Sequence, residues 1–193
     1  MDIVKQAQGG QTVAVTEEQL TQIGRFSRRP MRAEEVYCFS VRLCDNQVDR
    51  DGERFPRRTL EELAELFVGK SGLFDHSWSA RGQAARIYAA QVVQEEKLTG
   101  TGEPYCWLKG YAYMVRTADN EGLIREIEGG IKKEVSVGCA VERRVCSVCG
   151  QAWDGSCGHE AGKTYDGKLC CVELEHATDA YEFSFVAVPA QPE

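Results

Sequence analysis

The sequence of 193 residues has only three histidines, no internal repeat and no run of apolar residues long enough to cross a bilayer. The last absence excludes a membrane-spanning helix. The opening "MDIVKQAQGG" lacks the charged-then-apolar pattern of an export signal, so a soluble intracellular protein is expected. Positive charge is in short supply too. At a net charge of −7 the chain has no general basic face with which to collect phosphates, which excludes a general nucleic-acid binder. "RFSRRPMR" (25–32) is locally basic and reads as a solvated linker. The scarcity of histidine bounds the chemistry: an imidazole base is His76, His159 or His176, the last in "ELEHATD", which reads as a loop.

What the sequence does have is cysteine, nine in all. Without an export signal these read as reduced thiols or metal ligands, and the odd count fits that reading. A chain of this length, 42% hydrophobic and 27% charged, buries one sizeable core, so one domain with a small insertion is expected.

Residues 1–34 are polar, with one helical pattern in "TEEQLTQIGRF" and Thr16 as its N-cap. They read as an N-terminal arm that either docks a partner or stays a tail. From residue 35 the alternation changes. Tyr37, Phe39, Val41 and Leu43 are all apolar and alternate with Val36, Cys38, Ser40 and Arg42, the pattern of a strand with one face on the core. "DRDG" (49–52) reads as a turn. A helix follows in "TLEELAELFVGK", with Leu60, Leu63, Ala64 and Phe67 on one face, a capping box from Thr59 to Glu62, and Gly69 as its stop. "ARIYAAQVV" and "YCWLKGYAYMV" read as strands joined by a turn. "ADNEGLIREIEGG" reads as a helix capped by Asp119, and "KEVSVGCAVE" and "AYEFSFVAV" as the last two strands. The expected class is α+β, a mostly antiparallel β-barrel core surrounded by a few helices.

Two constellations carry chemistry. In "CSVCGQAWDGSCGH" the residues Cys146, Cys149, Cys157 and His159 supply three thiolates and an imidazole, a set that fills a tetrahedral zinc site. Cys170 or Cys171 is an alternative to His159. A catalytic zinc keeps a position open for water; four protein ligands leave none, so a structural clip at about 146–171 is expected, set between two strands that read well without it.

The second lies in "EVSVGCAVE" (134–142). Val135, Val137, Cys139 and Val141 share the core face, so Ser136 stands on the other face with Gly138 and Ala140. Ser136 is a nucleophile or a half-buried structural serine. Cys139 is a rival, but its apolar face argues for an inert thiol. His76, at the lip of a polar loop after Leu73 and Phe74, is the candidate base. It reads equally as a surface histidine beside Asp75. Glu182, with Asp179 as the alternative, is the candidate carboxylate to orient it; it shares a strand face with Ser184 and Val186, opposite an aromatic face of Tyr181, Phe183 and Phe185.

In order and spacing, "CDNQVDRDGERF", "LFVGKSGLFDHSWSARGQAARIY", "REIEGGIKKEVSVGCAVERRVCSVCG", "GKLC" and "DAYEFSFVAVPAQP" resemble the prohead (capsid maturation) proteases of tailed bacteriophages. That family is related to the herpesvirus assemblins, and the resemblance is to a subgroup from phages of Gram-positive bacteria. It covers the chain from about residue 35 to the end. It implies a compact β-barrel with a serine nucleophile at Ser136, in the family's "S-[IV]-G" motif, and a base at His76 after "FD". The family's ending "L-Y-E-V-S-L-V-x-x-P-A" matches 180–190 and makes Glu182 the expected third member. The cysteine-rich insertion departs from the general family pattern. By the resemblance, the substrates are scaffold and the arm of the major capsid protein, cut inside the procapsid in the host cytoplasm. Self-cleavage, with 1–34 as target or docking arm, and a homo-oligomer are also expected; nucleic acid and membrane are not expected partners. Oxyanion donors are sought in "ERR" (142–144).

Overall fold

Period-two alternation in the sequence becomes one eight-stranded sheet and a small hairpin in the computed structural model, which describes residues 3–4 and 15–188. The elements are β1 (Ile3–Val4), α1 (Glu17–Ile23), β2 (Val36–Asp45), β3 (Glu53–Arg54), α2 (Arg57–Leu66), β4 (Ser71–Phe74) and β5 (Ala85–Leu98). They continue with β6 (Pro104–Val115), α3 (Glu121–Glu128), β7 (Val135–Cys146), β8 (Thr164–Tyr165), β9 (Lys168–Leu169) and β10 (Val172–Phe185). The sheet runs β1-β2-β6-β5-β4-β10-β3, with β7 paired to β10. It is mixed, mostly antiparallel: β10 runs parallel to β3 and β4, and the other ladders are antiparallel. The class is α+β. β2 and β7 approach one another, yet no ladder joins them among the described residues, so hydrogen bonds do not close the sheet into a barrel.

The core follows the alternation. Phe39, Val41 and Leu43 from β2 are buried with Leu60, Leu63 and Phe67 of α2, Ile124 and Ile127 of α3, and Phe183 and Phe185 of β10. Removing such side chains from water is the main force holding these layers together. The opposite face of β2 is covered as well. Val36 and Cys38 pack with Tyr88, Tyr113 and Ile23 of α1, which is wholly buried. Residues 15–31 of the N-terminal arm thus pack on the sheet, and α1 begins with a reciprocal capping box between Thr16 and Gln19. Residues 1, 2 and 5–14 of that arm, and Pro189 and Ala190 of the matched ending, lie outside the described residues.

Four local expectations are corrected. α2 starts at Arg57 after Pro56 rather than at a Thr59 cap. Thr59 is buried inside the helix, and the Glu62 carboxylate instead accepts the Ala177 N–H at 2.8 Å and meets Arg58. Proline's fixed φ suits a helix entry and sets the earlier start. α3 is entered at Asn120, not Asp119; the Asn120 side chain bonds the Thr117 N–H and the Val115 carbonyl, which fixes the turn before it. "ELEHATD", which holds His176, reads as a loop by composition but is strand, because β7 supplies it a ladder from Val172 onward. Tyr181 leaves the aromatic face of β10. The register slips between Ala180 and Glu182, and this bulge turns Tyr181 outward, 42% exposed, while Ala180, Phe183 and Phe185 stay buried. Among the described residues no helix is long and apolar enough to cross a membrane.

Candidate functional site

The antiparallel ladder between β7 and β10 pairs Ser136 with Ser184, Val137 with Phe183, and Gly138 with Glu182. Directly opposed residues share a face, with Cβ atoms about 4.5–5.5 Å apart. Val137 and Phe183 therefore face the core while Ser136, Gly138, Ser184 and Glu182 stand together on the other side. β4 extends the same rows, since Ser71 pairs with Glu182 and Leu73 with Ser184.

His76 folds over these rows. Immediately after β4, Asp75 and His76 both adopt left-handed backbone, φ +50° and +52°, a conformation unfavourable for residues with a Cβ. The turn is held in place by the Asp75 N–H on the Phe185 carbonyl and the Ser77 N–H on the Phe74 carbonyl. The reversal returns the imidazole to β10, where Nδ1 lies 2.8 Å from Glu182 Oε1.

Glu182 is 3% exposed, and a carboxylate so buried needs partners for its charge. It has two: His76 on Oε1, and the Ser184 hydroxyl, which donates to Oε2 at 2.6 Å. With the carboxylate ionised and the imidazole neutral, His76 Nδ1 carries the hydrogen of this pair and Nε2 keeps its lone pair. The His76 side chain is 43% exposed, which keeps that nitrogen within reach of a substrate.

Gly138 explains why the carboxylate fits. A Cβ at this position would lie 2.7 Å from Glu182 Oε1, so any larger residue displaces the oxygen that holds His76. The S-x-G spacing of 136–138 therefore has a steric reason: the glycine leaves room across the ladder for the glutamate.

Asp179, the alternative carboxylate, sits beyond the Tyr181 bulge and pairs with Lys70 at 3.1 Å, half exposed. The structure brings Glu182, not Asp179, to His76. Ser136 lies beside them by register, and its hydroxyl forms no hydrogen bond with His76. Cys139 is on the core side, where burial pushes its thiol up to about 11. The "ERR" segment does not serve the site. Arg143 and Arg144 lie seven and eight residues along β7 from Ser136, roughly 20 Å away, paired with Glu175 and Glu53. A cleft of about 380 Å³ opens between β4, β10 and the 78–83 loop, with Leu73, Trp78, Tyr181 and Glu182 in its wall. Trp78 is 74% exposed and its ring lies against Tyr181.

At the far end of the same ladder the cysteines converge. The ligand atoms of Cys146, Cys149, Cys157 and His159 all lie within 4.8 Å of one another. Cys149 and Cys157 sulfurs are 3.6 Å apart, and His159 Nδ1 lies 3.6 Å from Cys146 Sγ and 3.3 Å from Cys157 Sγ. A tetrahedral ion with metal–sulfur bonds of about 2.3 Å and metal–nitrogen bonds of about 2.0 Å sets neighbouring ligands roughly 3.5–3.8 Å apart. The group fits a metal ion. Burial works against ionising Cys146, but the backbone N–H groups of Cys149 and Val148 turned toward its sulfur outweigh it and bring the thiol down to about 6. Cys170 lies 3.9 Å from Cys146, fully buried, and burial, reinforced by Cys146, pushes its thiol up to about 12. His159, and not Cys170, belongs to the group whose ligand atoms all lie within 4.8 Å of one another, which makes His159 the candidate fourth ligand. His159 is braced edge-on by Tyr165 of the β8–β9 hairpin.

Sequence reasoning places Ser184 on the face of Glu182, two residues along an alternating strand, but gives it no part in the site. Comparison with protein-family models, with curated proteins and with solved structures finds no match for this chain.

Proposed function

We propose that this chain is a serine endopeptidase of the capsid-maturation type, acting on scaffold and on the arm of the major capsid protein inside a phage procapsid. The observation that carries the reading is the buried Glu182 carboxylate on Nδ1 of His76, on the same face of the β7–β10 ladder as Ser136. Ser136 Oγ attacks the peptide carbonyl as His76 Nε2 takes its proton. The imidazolium so formed is stabilised by Glu182 and returns the proton to the leaving amine. Water then repeats the sequence on the acyl-enzyme. Ser136 and His76 close to hydrogen-bond distance when substrate is bound, since such pairs are often loose without it.

The resemblance in sequence supplies the substrate class, the procapsid setting, self-cleavage, homo-oligomer formation and the roles of Ser136, His76 and Glu182; the His76–Glu182 contact supports that choice of residues. In this reading the Cys146, Cys149, Cys157 and His159 group holds structural zinc. Four ligands close the coordination sphere, so the metal binds and orients the 146–171 loop and supplies no water for hydrolysis.

A second reading is a non-enzymatic procapsid- or scaffold-associated protein that uses the zinc loop for binding. The missing Ser136–His76 hydrogen bond favours it. One experiment separates the two: co-expression with the neighbouring capsid and scaffold proteins, with intact masses compared between wild type and Ser136→Ala. Trimming by wild type alone supports the protease. Identical uncut masses, with the variant folded, support the binding protein.

A further inference from the structure

Ser184 is fully buried, yet neither the nucleophile, the base nor the carboxylate reading uses it. Its hydroxyl accepts the backbone N–H of His76 at 3.0 Å and donates to Glu182 Oε2 at 2.6 Å. The other oxygen of the same carboxylate meets His76 Nδ1 at 2.8 Å. The three residues thus form a closed ring, in which His76 is tied to Glu182 once through its imidazole and once through its backbone by way of Ser184.

The directions in this ring are fixed. A backbone N–H can only donate, so Ser184 must accept there. Its single proton is then free only for Glu182. A carboxylate receiving that proton is held in one orientation, with Oε1 left for Nδ1–H. We propose that Ser184 is the positioning residue of the site: it holds Glu182 in plane and pins the left-handed His76 turn, so that the imidazole stays in the Nδ1–H tautomer with Nε2 open. The effect on rate rests on the protease reading above; the effect on the tautomer does not. Position in the ladder gives Ser184 this part. It lies directly across from Ser136, so the hydroxyl that orders the base is anchored to the strand that carries the nucleophile.

The test uses the full chain and two variants, Ser184→Ala and Ser184→Cys. The cysteine keeps more of the volume with a weak donor, should the alanine variant not fold. Two readouts are taken. The first is the nitrogen NMR spectrum of His76, which reports the tautomer directly. The second is the rate at which a small alkyl fluorophosphonate labels Ser136, forming the Oγ–phosphorus bond and expelling fluoride, followed by intact mass. Wild type is expected to show one tautomer, Nδ1–H. The variants are expected to show a mixture with Nε2–H, and labelling about tenfold slower, the size of a lost hydrogen bond to a charged group. A folded variant that keeps the single tautomer and the wild-type labelling rate overturns the positioning role. A wild-type protein that is never labelled overturns the protease reading instead, and the tautomer comparison still decides the part played by Ser184.

Discussion

The two ends of the β7–β10 ladder hold polar clusters of opposite design. At one end Cys146 closes β7, and Cys170 and Cys171 immediately precede β10. There the thiols of Cys146, Cys149 and Cys157 and the imidazole of His159 gather within 4.8 Å of one another, four ligands that leave no position open. At the other end Ser136, Glu182 and Ser184 share the face onto which the His76 turn folds. The His76 ring and the Ser184 hydroxyl converge on one carboxylate, Ser184 takes the His76 N–H, and one ring nitrogen is left over. A closed set satisfies itself and stabilises; a set with one unsatisfied, oriented group is able to react. One ladder carries both ends, and two register slips in β10, between Ala177 and Asp179 and between Ala180 and Glu182, separate them.

The contrast can be broken most severely at the open end. Ser136→Ala is expected to abolish cleavage, a loss on the order of 10⁴-fold or more, while circular dichroism and thermal melting stay at wild type because a small half-buried hydroxyl is all that is removed. Retained cleavage would move the chemistry elsewhere.

Glu182→Gln comes next. The amide keeps the volume but can donate to Nδ1, which favours the wrong tautomer, and a loss of about 10⁴-fold or somewhat less is expected in cleavage kinetics. An unchanged rate would make the Glu182–His76 contact merely structural.

Gly138→Ala tests the steric argument. The new methyl meets Glu182 Oε1 at 2.7 Å and must push it aside. The expected outcome is a destabilisation of about 1–3 kcal/mol in urea unfolding, with a drop in turnover that exceeds the fraction unfolded. A crystal structure of the variant with Glu182 undisturbed would refute that account.

The smallest effect on chemistry is expected at the closed end. With a metal held by Cys146, Cys149, Cys157 and His159, as proposed, its removal by a chelator should lower Tm by about 10 °C, the consequence of losing a ligand bound far above its dissociation constant. It should also loosen the 146–171 loop in hydrogen exchange, and leave fluorophosphonate labelling of Ser136 nearly unchanged while the chain is folded. Loss of turnover with no loss of stability would instead make the metal catalytic.

Much of this was legible in the sequence, and what was legible is local. Alternation put Ser136 and Gly138 opposite Val135 and Val137, because side chains in a strand repeat every two residues whatever the strand pairs with. The spacing Cys146, Cys149, Cys157, His159 delivers the metal cage because a short glycine-bearing loop brings its own ends together. The helical faces of Leu60, Leu63 and Phe67 and of Ile124 and Ile127 follow from the 3.6-residue period. Helix starts were less legible: Pro56 and Asn120 set them through backbone geometry that composition alone does not rank.

Tertiary structure decided the rest, through pairings between residues far apart in the chain. The choice between Asp179 and Glu182 depends on a bulge at Tyr181, which only the register of β10 against β7 reveals. The part of Ser184 depends on a turn after β4 folding back onto β10. The burial that forces Glu182 to take two donors comes from the elements packed around it, not from its neighbours in sequence. The sequence determined the faces of unbroken strands and the proximity of Cys146, Cys149 and Cys157, since both follow from short-range geometry. Only the folded sheet determined which carboxylate meets the histidine, because that choice rests on strand register, and register is set by the packing of the whole core.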